Sequence, residues 1–338
     1  MFTLLWGCVL FPPLFMKIPT RSLLFALLAP ALAVAAPKIG VMPKIVGIDY
    51  SNAMGRGAVA AGKDLGIEVV FDGPVTNDPA KQAALVETWI AQKFDAICIA
   101  PNDPDAISPV LRKARSRGIK VLTYDSDAQP RARDLFVNQA SAAAIGKALI
   151  DSMARNVGPE ARYLIITGSL SASNQNRWMA EMEKYRQQAY PKMVNLSPTP
   201  KAAEEDSARA TQVTIDVLKV YPDLQGLFAI TSEALPGAAE GLMKAGAVGK
   251  VFLTGLSTPK SMSAYVKSGA CGEVILWNPE NLGYLTVQAA AQLVAGKITD
   301  DTKEIAAGKL GPKQIVDHVV LLGAPLVFTK ANIDEYQF

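Results

Sequence analysis

Short β-branched and aliphatic runs alternate along this chain with longer stretches whose apolar positions recur at helical spacing. In the first half this predicts strand Lys38–Met42, helix Asn52–Leu65 closed by Gly66, and strand Ile67–Phe71. Helix Asp78–Lys93 follows, with Ala83, Leu85, Val86, Trp89 and Ile90 on one face. Strand Asp95–Ala100, helix Ala106–Arg117, strand Ile119–Thr123 and strand Leu135–Asn138 complete that half. The rhythm then repeats: helix Ala140–Asn156, strand Arg162–Thr167, helix Gln175–Tyr190, a strand at Val194–Ser197 and helix Ala202–Tyr221. Strand Gly226–Ile230, helix Leu235–Gly246 and strand Lys250–Gly255 close the repeat. Beyond them come helix Ser261–Ser268, strand Gly272–Trp277 and helix Asn281–Ala295. The tail Gln314–Thr329 holds a β-rich run, Ile315–Leu322, and an apolar stretch, Ala324–Phe328, expected to pack over the C-terminal lobe and hinge.

Strands alternating with helices imply right-handed βαβ crossovers and parallel sheets. There are too many units for one small sheet, so the fold class is α/β with two doubly wound parallel-sheet lobes. The expected division is residues 36–138 plus 258–310 for the N-terminal lobe, and 139–257 plus 311–338 for the C-terminal lobe and a hinge-covering tail.

The N-terminus reads as an export signal over residues 1–35. Lys17 and Arg21 precede the apolar run Leu23–Val34, and Ala33-Val34-Ala35 is a small-x-small site, so cleavage is expected near Ala35. Met16 opens a conventional signal and is a candidate true start. Leu5-Trp6-Gly7-Cys8 offers a lipoprotein alternative, but no basic residue precedes it. The apolar segment is shorter than the ~20 residues needed to span a bilayer.

The formal charge of +3 falls to about +1 without Lys17 and Arg21, and no basic run is present, which argues against nucleic acid as a partner. After cleavage Cys98 and Cys271 remain. Each can fill a core position, and a disulfide between them is open. With a single histidine, His318, and no CxxC pair, neither metal sites nor cofactors nor Ser-His or Cys-His catalysis are expected.

In open parallel sheets ligands collect beyond the carboxyl ends of the strands. There the run Val121–Thr123 ends in Asp125 and Asp127. Asp125 is either a cleft acceptor or a turn and capping carboxylate, and Asp127 either a second acceptor or a hinge-turn residue. Lys44 follows the first strand, Asn102 the third, and Trp277 and Asn278 another. Asn174, Gln175 and Asn176 form an amide group at a helix start, where Asn174 can also cap, with Arg177 and Trp178 behind them. Such donors and flat rings suit hydroxyl-rich ligands, although Trp178 fits a core equally well. Glu233 either contacts ligand or caps the next helix.

The ordered set PKIVG, DGP, APNDPDAI, VLTYDSD, VNQ, SNQNRW, EALPGAAEGL, GLSTP and VILWN resembles the periplasmic sugar-binding proteins of ABC importers, of the ribose-binding-like type I class. The resemblance extends to the subgroup holding the autoinducer-2 receptor and the rhamnose-binding protein. It implies three crossings between the lobes, closure on a small polyhydroxylated ligand and docking of the lobe tips on a membrane permease, by a monomer in the periplasm. It also implies ligand contacts from Lys44, Asp125 and Gln175, with Pro236 and Ala238 of the loop LPGAA. Asn174 stands where the autoinducer-2 receptor has aspartate, which keeps the shape and removes a charge.

The expected ligand is therefore a monosaccharide, deoxysugar or polyol, with autoinducer-2 the alternative. A DNA-binding regulator built on the same lobes would need a helix-turn-helix where the export signal lies. An enzyme using Lys44 as a Schiff base would need a desolvated lysine, which nothing in the sequence indicates. The protein is expected to bind and not to catalyse.

Overall fold

The computed structural model describes residues 2–13 and 36–338. Residues 2–13 carry neither helix nor strand, and the expected signal segment from Met16 to Ala35, with Lys17 and Arg21, lies outside the described residues.

From residue 36 the chain runs β1 (Lys38–Met42), α1 (Asp49–Leu65), β2 (Glu68–Phe71), α2 (Pro79–Ala91), β3 (Ala96–Ile99), α3 (Pro104–Ser116), β4 (Lys120–Tyr124) and β5 (Leu135–Asn138). It continues as α4 (Ala142–Asn156), β6 (Arg162–Thr167), α5 (Ser173–Ala189), β7 (Val194–Asn195), β8 (Lys201–Ala202), α6 (Ser207–Val220), β9 (Gly226–Ala229), α7 (Ala234–Lys244), β10 (Phe252–Gly255), α8 (Pro259–Ser268) and β11 (Glu273–Leu276). The last part is α9 (Pro279–Val294), β12 (Glu304–Ala306), β13 (Pro312–Val316), β14 (Val319–Leu321) and β15 (Leu326–Phe328).

These strands form two sheets, ordered β12-β13-β14-β5-β4-β3-β1-β2 and β15-β11-β10-β9-β6-β7, with β8 also on β6. Strands β1, β3 and β4 are buried on both faces, which is why they read as unbroken apolar runs. Ile97, Ile99 and Val121 pack with Trp89 and Ile107 of α2 and α3, while Cys98 and Leu122 join the cluster containing Met54 and Leu282 of α1 and α9. Helices α1 and α9 approach backbone to backbone. A Cβ on Gly57 would lie 1.8 Å from the Glu280 carbonyl oxygen, and one on Gly283 2.0 Å from that of Met54.

The chain crosses between the sheets after β5, after β11 and after β14. This corrects the expected lobe boundaries in two places. Residues 258–276 belong with the second sheet, because β11 pairs in parallel with β10, and α8 packs beside α7. Residues 312–321 belong with the first, because β14 pairs in parallel with β5. The β-rich run is a hairpin, turned at Asp317 and His318 with φ of 50° and 59°, the left-handed pair that a two-residue turn requires. The tail is thus shared between the lobes, since β15 pairs antiparallel with β11 at the edge of the second sheet.

Two smaller corrections concern the middle of the chain. The strand expected at Val194–Ser197 forms over two residues only. The helix expected from Ala202 begins at Ser207, because Glu204 and Glu205 both adopt φ of 54° and Asp206 takes the N-cap, accepting from the Arg209 amide. Cys98 and Cys271 are both free and buried, so the open disulfide is not formed.

Candidate functional site

In the first sheet the strand order reverses between β1 and β3, and in the second between β6 and β9. The loops beyond the carboxyl ends of these strands face one another, and between them lies a cavity. The β1 loop supplies Pro43, Lys44, Ile45 and Ile48, and α1 supplies Tyr50, Ser51 and Met54. Asp125 follows β4, Asn174, Gln175 and Trp178 come from α5, and Glu205 follows β8. Ile230, Thr231 and Ser232 follow β9, and Leu256, Leu276 and Trp277 close the apolar side.

Lys44 is set in place through its backbone. Buried Gln82 donates to the Pro43 carbonyl at 3.2 Å and the Ala100 carbonyl at 2.9 Å, and accepts from the Asn102 amide at 2.8 Å. Asn102 in turn donates to the Lys44 carbonyl at 3.0 Å. The Lys44 ammonium then reaches across the cleft and donates to Asn174 Oδ1 at 3.0 Å.

Asp125 has φ of 60°, a conformation Asp tolerates better than most residues, and is 5% exposed. Tyr50 donates its hydroxyl to Asp125 Oδ1 at 2.8 Å, and Trp277 Nε1 donates to the Tyr50 oxygen at 2.8 Å. Burial pushes the Asp125 carboxyl above the usual carboxylate range, against the pull of Lys44 and the Tyr50 hydrogen bond. Burial and the Asp125 charge push the Tyr50 hydroxyl well up, so it stays a donor.

Gln175 is oriented at both ends. Its Oε1 accepts from Thr167 at 2.6 Å and from the Gly168 amide at 2.8 Å, and its Nε2 donates to Glu205 Oε1 at 2.8 Å. Asn174 does not cap α5, whose N-cap is Ala172; its Oδ1 accepts from the Gln175 amide and from Lys44. The rings of Trp178 and Trp277 stand 5.8 Å apart at 57°.

Of the residues expected at the site, Lys44, Asp125, Asn174, Gln175, Trp178 and Trp277 share the cavity. The others need correction. Asp127 is 3% exposed and held by Arg133 through two bonds of 2.7 and 2.9 Å, with Thr123 donating at 2.5 Å, so its carboxylate serves the hinge turn. Arg177 is exposed and borders a smaller adjoining space with Asp127 and Asn138. Asn102 supports Lys44 without lining the cavity, and Asn278 caps α9 by accepting from the Asn281 amide. Pro236 and Ala238 lie within α7, off the cavity, and Ala238 is fully buried in the core. Glu233 precedes α7 and also lies off it; burial, then Glu205, Asp49 and Asp206, raise its carboxyl.

Sequence reasoning missed Tyr50, Gln82, Glu205, Thr231 and Ser232. Thr231 and Ser232 follow β9 as Asp125 follows β4, so the same strand-end rule would have found them. Glu205 was hidden inside an expected helix, and Gln82 on a helix face read as core.

The comparisons with known proteins agree with this architecture. The profile of the periplasmic binding protein domain matches residues 39–298. The ribose import binding protein RbsB of Bacillus subtilis is 25% identical over 264 residues, covering 78% of this chain and 84% of that protein. LsrB from Clostridium saccharobutylicum, solved in complex with AI-2, superposes with a TM-score of 0.85 at 26% identity, over 89% of this chain and all (100%) of that one. An ABC transporter solute-binding protein from Clostridium phytofermentas with bound L-rhamnose gives 0.84 at 29% identity, over 89% and 98%. The chain belongs to the periplasmic binding protein family, among the solute-binding proteins of ABC importers of the ribose-binding type, and it is a binding protein and not an enzyme.

Proposed function

We propose that this protein captures a small polyhydroxylated ligand, a monosaccharide, deoxysugar or polyol, between its lobes and delivers it to a membrane permease that docks at the lobe tips. The observation that carries this reading is the convergence of both sheet switch points on one cavity lined by Lys44, Asp125, Asn174 and Gln175. Lys44 donates to ring or carbonyl oxygens, Asp125 accepts from hydroxyls, and the two amides do both. Trp178 and Trp277 offer apolar faces to the C–H side of a sugar ring.

Support for closure by hinge motion comes from bonds that span the cleft. Besides Lys44 to Asn174, Asn77 donates to Glu204 at 3.4 Å, and the Ser126 and Ser173 hydroxyls stand 3.1 Å apart. The lobes in this reading are residues 36–138 with 279–321, and residues 142–276 with the segment from 326 onward. The protein acts as a monomer in the periplasm after cleavage near Ala35.

Autoinducer-2 is the second reading, favoured by the AI-2 complex among the similar structures, with Asn174 as the difference that separates the two. Mass spectrometry of small molecules released from the purified protein, followed by calorimetry with L-rhamnose, D-ribose, D-allose and autoinducer-2, tests the proposal. A neutral sugar bound with micromolar or tighter affinity is expected. No response to any sugar, polyol or autoinducer-2 would overturn it.

A further inference from the structure

Glu204 and Glu205 are consecutive non-glycine residues in the left-handed region, both at φ of 54°. A conformation so costly persists only where its surroundings impose it, and such residues cluster at functional sites. Here the surroundings are visible. Ala203 donates its amide to the Thr167 carbonyl at 2.8 Å, Glu204 donates to that of Gly168 at 2.7 Å, and Asp206 donates to that of Ala203 at 3.0 Å. Gly168 leaves room for the side chain, since a Cβ there would lie 2.2 Å from Glu205 Oε1.

The turn sends Glu205 to the cavity wall, where Gln175 Nε2 holds Oε1 at 2.8 Å. Among the described residues, no hydrogen bond is made to Oε2 of Glu205. The charged side chains lining the cavity are then Lys44, Asp125 and Glu205. One ammonium, with the partial positive charge at the start of α5, faces two carboxylates. An anionic ligand would add a third negative charge to a space already short of positive charge, whereas a carboxylate accepts well from neighbouring hydroxyls.

We propose that Glu205 is a ligand-contacting acceptor that restricts the cavity to neutral polyhydroxylated ligands and excludes sugar acids and sugar phosphates. The inference rests on the sugar-binding reading above and deepens it. The raised Asp125 carboxyl is consistent with Glu205 acting on the same space.

The test is calorimetry on the full-length protein, freed of co-purified ligand, with neutral sugars paired with their acids: D-ribose with D-ribonate, L-rhamnose with L-rhamnonate, D-galactose with D-galacturonate. Wild type is expected to bind at least one neutral sugar and none of the acids. Glu205→Gln should weaken that neutral sugar by at least about 10-fold, the loss of one hydrogen bond to a charged group, and narrow the gap to its acid. Glu205→Asn, a residue type that accepts the left-handed region, should do the same while keeping the melting temperature of the ligand-free protein. Unchanged affinity in both variants, or wild-type binding of an acid as tight as its neutral partner, would overturn this inference and leave the sugar-binding reading intact. A wild type silent to every neutral sugar, polyol and autoinducer-2 would overturn both.

Discussion

Trp277 Nε1 donates to the Tyr50 hydroxyl at 2.8 Å, joining residues 227 positions apart. Trp277 directly follows the last parallel strand of the second sheet, and Tyr50 lies in the first turn of α1. Tyr50 passes the interaction on to Asp125. The acid of the first lobe is therefore tied, through one phenol, to the indole at the crossing that follows β11.

Cutting that link should loosen closure without touching the fold. Tyr50→Phe removes both bonds and keeps the ring. We expect sugar affinity to drop by about 5- to 30-fold, for one to two lost hydrogen bonds, with faster ligand release in stopped-flow tryptophan fluorescence. An unchanged release rate would refute a role for the chain Trp277-Tyr50-Asp125 in closure.

Asp125→Asn keeps the left-handed backbone and the side-chain shape. Sugar binding should weaken by at least about 10-fold by calorimetry, because the charge-assisted acceptor is lost.

The same variant reports on pH. Burial holds the Asp125 carboxyl above its ordinary value of 3.8, so the folded, ligand-free protein binds this proton more tightly than the unfolded chain. Whatever stability protonated Asp125 allows is fully present below the unfolded value and is lost as pH rises through the raised folded value. Urea unfolding across that range should show Asp125→Asn gaining on wild type as pH rises. A constant difference would mean that the carboxyl is not perturbed.

Arg133→Ala tests the structural assignment of Asp127. It leaves a carboxylate that is 3% exposed with only the exposed Arg177 at 4.0 Å in place of its buried partner, at a cost of about 3–5 kcal/mol in chemical unfolding. Sugar affinity of the folded fraction should stay within about 2-fold. A selective loss of affinity would return Asp127 to the ligand site.

Gly283→Ala should destabilise by about 1–3 kcal/mol or more, because the added methyl meets the Met54 carbonyl oxygen at 2.0 Å and α1 must move. Alanine raises helix propensity, so a propensity-only view expects the opposite sign in the melting temperature.

How much of this was legible in the sequence depends on whether local pattern or distant packing decides. Strand β1 was readable to its ends, since Lys38–Met42 is an apolar run bounded by polar and proline residues. Asp125 was readable as a cavity residue, beside its turn and capping alternatives, because it follows an apolar strand at the end where ligands collect in open parallel sheets. Lobe membership was not, because α8 and β11 carry the same periodicity whichever sheet they join. Glu205 was invisible for a different reason. EEDSAR has good helical composition, and only the carbonyls of Thr167 and Gly168 pull its first residues into the left-handed region. Pro236 and Ala238 came from resemblance alone, and neither is among the residues that line the cavity.

The position of β14 beside β5 also dictates when the protein can become native. The first sheet starts at residue 38 and receives β14 from residues 319–321, so all of the second lobe except its last strand and tail is threaded in between. Until that late strand arrives, β5 is an open edge, and the pairing that covers it spans a sequence separation that makes sheet assembly slow. A chain emerging in order from its N-terminus therefore cannot complete its first sheet until residue 321 has been made, with nearly the whole sequence already behind it.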